Sequence, residues 1–216
     1  MSGNAIINAN PITKHDYQQI TNNLKKLLPD GLPLYPFGSA GKKEISGDVD
    51  FFIDADELLT FIPSSRHLSI LDCRKHLYDY FIDKKLKASR TGINVHIGVP
   101  LNDELIQIDL TVVKDAAKIA HLHNHVYDNE DVKGKTIVSI WCDLTNLTSP
   151  DLMISPYKGL LNRNTRELIT LDPTEIAKII IGPFATEYDM RSPTRLLKAV
   201  QYDPIKYQHI KQTYFK

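Results

Sequence analysis

Cysteine is scarce in this chain. Cys73 and Cys142 are the only two among 216 residues, and they form no CxxC pair. That excludes a disulfide framework or a cysteine zinc site as the organising element, and makes a reducing compartment the default. The cytoplasm is the expected location, and the pair reads as two buried thiols. Long apolar runs are missing as well. Runs such as Ile179-Ile180-Ile181 fall far short of the roughly 20 residues that span a bilayer, so no membrane partner is expected. The opening MSGNAIINANPIT has no basic segment followed by an apolar one, so no secretory leader is expected. Gly3 does not occupy position 2, which removes the myristoylation pattern. Excess charge of one sign is absent: 26 Lys+Arg balance 26 Asp+Glu. A protein that coats long nucleic acid usually shows a basic balance, so that class is disfavoured. The balance is uneven along the chain, however. From Asp151 onward there are 10 Lys+Arg against 7 Asp+Glu.

What is present is a 42% hydrophobic composition, enough for a real core. Periodicity predicts an amphipathic helix over 14–28, with Tyr17, Ile20, Leu24, Leu27 and Leu28 on one face and Thr13 as its N-cap. It predicts a short extended segment over 32–37, a turn-rich connection over 38–47 and a strand over 48–53. Helices are expected over 56–61 and 66–86, the second with an apolar stripe of Leu68, Leu71, Leu77, Tyr78 and Phe81. Strands over 93–99 and 105–113 are joined by an Asn102-Asp103-Glu104 hairpin turn. A helix over 114–123 and a strand over 136–144, carrying the lone Trp141, follow.

Beyond Ser149-Pro150 short helices and turns dominate, with helices expected at 173–181, 193–199 and 204–213. Residues 160–171 read equally as a hairpin or a helix. The expected organisation is an α/β core over 1–150 and a mainly helical region over 151–216. The expected fold class is α/β (α+β), a mixed sheet with flanking helices.

The informative segment runs from Gly38-Ser39 to Ser46-Gly47-Asp48-Val49-Asp50-Phe51-Phe52-Ile53. On a strand, Asp48 and Asp50 point to one face while Val49, Phe51 and Ile53 point to the other. Two acids held side by side repel unless a cation lies between them. A third acid, Asp109, sits among Gln107 and Thr111 on the polar face of a strand whose Ile106, Ile108, Leu110 and Val112 are apolar. If the two strands pair, three carboxylates converge. Such a set suits two magnesium ions about 4 Å apart, with manganese as a substitute, for in-line displacement at phosphorus. Gly38-Ser39 allows close backbone approach to phosphate, and Lys42 and Lys43 are placed to offset its charge.

Gly-Ser, a short gap, Asp-x-Asp on a strand and a distant strand Asp resemble the polymerase-β-type nucleotidyltransferase superfamily. The Ser46-Gly47-Asp48-Val49-Asp50 phrase is similar to its repair polymerase branch. The resemblance covers residues 32 to 113. It implies that Gly38, Ser39 and Lys42 grip the triphosphate of an NTP or dNTP such as ATP. It also implies that Asp48 and Asp50 bind both metals and Asp109 the catalytic one. The implied reaction moves a nucleoside monophosphate to an acceptor hydroxyl, a nucleic-acid 3′ end, and releases pyrophosphate. No Gly-x-Gly DNA-binding hairpin is present upstream and a single helix precedes the site, so a templated polymerase grip is not implied. Transfer to a protein side chain or a small molecule is the alternative. A nucleotide-binding module without catalysis is the third reading, but its expected sign is a damaged acid set.

Other clusters are weaker. His121, His123 and His125 have no clear third-party ligand nearby and read as a solvent-facing or substrate-side cluster rather than a metal site. His96, opposite Asp109, reads as a hydrogen-bonded structural residue. Asp54 and Asp56 read as a strand end and a helix cap, not as a calcium loop. Lys84, Lys85, Lys87 and Arg90 read as a phosphate track or as a solvated helix end. Lys158, Arg163, Arg166, Arg191, Arg195 and Lys198 read as an acceptor surface or as ordinary surface charge.

Overall fold

The computed structural model describes residues 5–62, 68–126 and 137–215. Its elements in chain order begin with β1 (Ile12–Thr13), α1 (Tyr17–Leu27), β2 (Tyr35–Phe37), β3 (Ile45–Ser46), β4 (Val49–Asp54), α2 (Ala55–Leu59) and α3 (Ile70–Asp83). Next come β5 (Ala88–Thr91), β6 (Asn94–Leu101), β7 (Glu104–Val113), α4 (Ala116–Leu122) and α5 (Ile137–Thr148). The last are β8 (Leu152–Ser155), β9 (Gly159–Asn162), β10 (Leu168–Thr170), α6 (Pro173–Ile180), a 3₁₀ turn (Glu187–Met190), α7 (Pro193–Ala199) and α8 (Pro204–Tyr214). The chain is thus α+β, a mixed sheet with flanking helices, as expected. Among the described residues no helix is long and apolar enough to cross a membrane.

Two compact units divide the chain, Met1–Ala120 and His121–Lys216. The composition change near 150, expected as the boundary, lies inside the second unit. The reason is that α5 belongs to the second core, where Ile140, Trp141 and Leu144 are fully buried with Ile176, Ile180 and Leu196.

The first unit is built on a five-stranded sheet of order β2-β4-β7-β6-β5. Only β4 and β7 run parallel; the other pairs are antiparallel. Val49, Phe51 and Ile53 of β4, and Ile106, Ile108, Leu110 and Val112 of β7, join one core with Ile20 and Leu24 of α1 and Cys73, Leu77 and Phe81 of α3. Their period of two on the strands and their i, i+4 spacing on the helices make this one apolar layer. The acids therefore occupy the opposite face of the sheet.

Several expectations shift in detail. α1 starts at Tyr17 rather than residue 14, because Thr13 pairs with Ile45 in a two-residue ribbon. Thr13 is not the N-cap; its hydroxyl donates to Asp16, the actual N-cap, at 2.6 Å. Leu71 is 57% exposed, and the buried stripe of α3 is Cys73, Leu77 and Phe81. Arg66 and Thr136, the expected first residues of two elements, lie outside the described residues. Cys73 is buried as expected, whereas Cys142 is only partly so.

The strand expected over 136–144 is the helix α5. Its β-branched residues suggested extension, but Ile137, Ile140, Trp141, Leu144 and Thr145 are the buried ones. That is an i, i+3, i+4, i+7, i+8 stripe, and a helix is the conformation that puts it on one face. Residues 160–171 resolve as a hairpin, β9 with β10, next to β8 in a three-stranded antiparallel sheet. The region after 150 is therefore less purely helical than its composition suggests. Its three helices do begin where Asp172-Pro173, Ser192-Pro193 and Asp203-Pro204 place them. In each the first residue's side chain accepts a backbone N–H and the proline takes the first turn.

Candidate metal centre

β4 and β7 lie side by side with Asp50 opposite Asp109 in the parallel register. Asp48 immediately precedes β4 and, two residues from Asp50, shares its face. Each of the three offers a carboxylate oxygen within 4.8 Å of the others. Asp48 is 5% exposed and Asp109 9%. Burial, followed by repulsion from Asp48 and Asp109, pushes the Asp50 carboxyl up to about 8. Among the described residues no other three His, Cys, Asp or Glu side chains converge in this way. A dense set of carboxylate oxygens is the donor chemistry of a hard divalent cation, and the raised Asp50 marks a charge the protein itself leaves uncompensated. The residues fit such an ion.

The turn ahead of β4 closes over this group. Gly38 has φ +75°, and a Cβ there would overlap the Asp50 carboxylate. The backbone thus rests directly on the acid, which only glycine permits. Gly41, also at φ +75°, lies against the Tyr17 ring, where an added Cβ would meet Cδ1 at 2.8 Å. Tyr17 in turn stacks on Phe51 with centroids 6.5 Å apart. Lys42 and Lys43 both donate their backbone N–H to the Ser39 carbonyl at 3.0 Å. The Ser39 hydroxyl is 3.0 Å from that of buried Ser46. Gly38, Ser39, the acids and this loop are therefore one packed assembly. The Lys42 side chain is exposed overall, while partial desolvation lowers its ammonium pKa.

Asp109 is held from behind. His96 sits opposite it on β6, with Nδ1 2.8 Å from Asp109 Oδ1. An ionised carboxylate only accepts, so Nδ1 is the donor, and the far ring nitrogen meets Thr91 Oγ1 at 2.5 Å. Gln107 Nε2 donates to the same Oδ1 at 2.8 Å. Its Oε1 accepts the backbone N–H groups of Ala5 and Ile6 at 2.9 and 3.0 Å. The polar face of β7 is thus buried and satisfied: Gln107 and Thr111 are each 1% exposed. Among the described residues no hydrogen bond occupies Asp109 Oδ2. His96 is hydrogen-bonded to Asp109, as its place opposite that acid suggested, whereas the tie from Gln107 was not anticipated. Its signal was there, since Gln107 lies two residues from Asp109 on the same face.

The weaker candidates separate cleanly. Asp54 is a tie rather than a ligand: its carboxylate accepts from Asp56, Glu57 and Ala116 backbone N–H groups. Lys84 caps α3 and lies over the Tyr80 ring, and Arg90 lies over Tyr78. His121 binds Glu187 at 2.6 Å; His123 is buried rather than solvent-facing, meets the Pro156 carbonyl at 2.6 Å and packs with His125 against Trp141. Arg163 braces the Pro150 and Leu152 carbonyls, Arg166 contacts Met153, and Arg191 pairs with Glu187. Lys158, Arg195 and Lys198 remain exposed.

No family model matches the chain, and no curated protein sequence matches it. Among solved structures it is similar to the Cid1 poly(U) polymerase with magnesium and 3′-dATP bound, at a TM-score of 0.27 and 17% identity. The similarity covers 67% of this chain and 45% of that one, so the chain spans less than half the length of that neighbour. A likeness of that size carries no assignment, and the functional reading rests on the site's own geometry.

Proposed function

We propose that this protein is a divalent-metal-dependent nucleotidyltransferase. It moves a nucleoside monophosphate from an NTP or dNTP to an acceptor hydroxyl, a nucleic-acid 3′ end, and releases pyrophosphate. The observation that supports the reading most is the convergence of Asp48, Asp50 and Asp109 within 4.8 Å on neighbouring strands beneath a glycine-serine turn.

Asp48, Asp50 and Asp109 are the residues that would hold magnesium, as two ions, with manganese as a substitute. Bound there, the ions supply charge neutralisation at the phosphoryl oxygens and ease deprotonation of the attacking hydroxyl. The rest of the work belongs to the chain. Gly38 lets the backbone lie against the triphosphate site with no side chain in the way, and Ser39 offers its N–H and hydroxyl to a phosphate oxygen. Lys42 offsets phosphate charge. Asp109, fixed through Oδ1 by His96 and Gln107, keeps Oδ2 for a ligand or for the proton of the acceptor hydroxyl. Catalysis of this kind is positioning and electrostatic stabilisation, which a rigid, buried acid set suits. The second unit is the acceptor-side region in this reading. The two free cysteines agree with a cytoplasmic site of action.

The test is labelling. The protein is incubated with each α-labelled triphosphate, magnesium or manganese, and separate pools of RNA, primed DNA, protein and small-molecule extract. Label is expected in a nucleic-acid pool. Label in protein or small molecules would reassign the acceptor, and no label anywhere would sink the reading.

A further inference from the structure

The second unit carries an open groove of about 720 Å³, lined entirely by residues between Ile181 and Asp203. None of the three acids contributes to it. Phe184, in the turn after α6, is 96% exposed, and Tyr202, in the turn between α7 and α8, is 90% exposed. Tyr188 of the 3₁₀ turn is 57% exposed and lines the same groove, with the Arg191 guanidinium 4.3 Å from its ring centre. Exposed aromatic faces gathered in one groove are costly in water and mark a binding surface.

Two cations and two acids line the groove beside these rings. Arg195 and Lys198 sit three residues apart on α7, are both exposed, and line the groove. Among the described residues neither side chain pairs with an acid. The two acids of the groove are already committed. Asp189 accepts from the Thr186 backbone and hydroxyl, and Asp203 accepts from the Ile205 and Lys206 backbone N–H groups at the start of α8. Asp203 also lies 3.6 Å from Lys206 Nζ, so both acids have local partners, whereas among the described residues Arg195 and Lys198 make no ion pair.

Flat aromatic faces interleaved with unpaired cations match unstacked bases on a phosphate backbone. A duplex hides those faces in its own stack. We propose that this groove binds a single strand of nucleic acid, with bases stacked on Phe184, Tyr202 and Tyr188 and phosphates on Arg195 and Lys198. The proposal deepens the nucleotidyl-transfer reading, on which it rests for its purpose, by making the acceptor single-stranded.

The test is fluorescence anisotropy with labelled oligo(U) and oligo(dT) of about 12 nucleotides, within the span of known single-strand sites. A duplex of the same length serves as competitor. Phe184→Ala with Tyr202→Ala is expected to weaken binding by about tenfold or more. Arg195→Gln with Lys198→Gln is expected to flatten the dependence of log affinity on log salt by about 1.4 for the two lost contacts. No binding of either oligonucleotide by the parent, an unchanged affinity in the aromatic variant, or equal competition by duplex would overturn the proposal. If the aromatic variant instead converts a dimer to a monomer in light scattering with oligonucleotide affinity unchanged, the groove is a contact between copies and the proposal fails. Loss of transfer chemistry with single-strand binding intact would count against the nucleotidyltransferase reading alone.

Discussion

His96 Nδ1 donates to Asp109 Oδ1 at 2.8 Å across the β6–β7 pair, with the acid 9% exposed. The imidazole fixes one oxygen of the carboxylate and leaves the other directed elsewhere. Partners that orient a metal ligand from behind typically matter about 10- to 100-fold in affinity or rate. His96→Ala and Gln107→Ala are each expected to lower kcat within that range and to raise the magnesium concentration needed for half-maximal rate. A change below twofold in both quantities would remove these residues from the site's support.

The ligands themselves are more sensitive. Asp48→Asn and Asp109→Asn are expected to abolish nucleotidyl transfer while leaving the far-ultraviolet circular dichroism spectrum unchanged. Because each substitution also reduces charge repulsion among three clustered acids, the metal-free variants should melt no lower than the parent. Full activity in either variant would refute the assignment.

Two glycines of similar backbone conformation give a controlled comparison. Gly31 has φ +86° with nothing within 4 Å of an added Cβ, whereas Gly38 has φ +75° with its Cβ position filled by Asp50. Gly31→Ala should cost only the left-handed backbone penalty, about 1 kcal/mol, with activity retained. Gly38→Ala should cost more in chemical denaturation and should lose activity, because Asp50 must move. Equal effects of the two substitutions on activity would contradict the packing of Gly38 on Asp50.

Asp50 makes the metal-free protein sensitive to pH. Its carboxyl is raised from an ordinary 3.8 to about 8, first by burial and then by Asp48 and Asp109. Between those values the unfolded chain has released a proton that the folded protein keeps. The folded state binds more protons there, so this group's contribution to stability falls as pH rises across the window and levels off above about 8. In chelator, the melting-temperature difference between Asp50→Asn and the parent should therefore grow from pH 5 to pH 8. Saturating magnesium should shrink it. A difference independent of pH and of magnesium would argue against a partly buried carboxylate crowded by two other acids.

Trp141 is the single tryptophan and is fully buried in the second unit, its indole N–H donating to the Met190 carbonyl at 3.2 Å. Trp141→Ala should destabilise that unit by about 3–5 kcal/mol. Tryptophan emission of the parent should report unfolding of the second unit, while circular dichroism reports both. Trp141→Phe keeps most of the apolar volume but leaves the carbonyl without its donor, and a smaller loss is expected.

The acid-bearing strands were legible because a period of two sorted Asp48, Asp50 and Asp109 from their apolar neighbours. The hairpin at Asn102-Asp103-Glu104 was legible too, but not its register: the structure turns on Asn102 and Asp103 alone, so that Leu101 pairs with Glu104 and His96 with Asp109. Residues 137–148 were harder. Ile137, Val138, Ile140 and Trp141 favour a strand locally, and packing against Ile176, Ile180 and Leu196 chose the helix. Propensity is a weak local preference, and burial of a whole apolar face outweighs it.

The sequence by itself determined which carboxylates share a polar strand face, where the glycine turn lies, and where the proline-started helices begin, because each follows from neighbours within a few residues. Only the tertiary structure decided that β4 and β7 adjoin in the parallel register that sets Asp50 against Asp109. It also decided that Gly38 rests on Asp50, and that Phe184, Tyr202, Arg195 and Lys198 line one groove. These are contacts between distant segments, selected by burial of the core rather than by any local pattern.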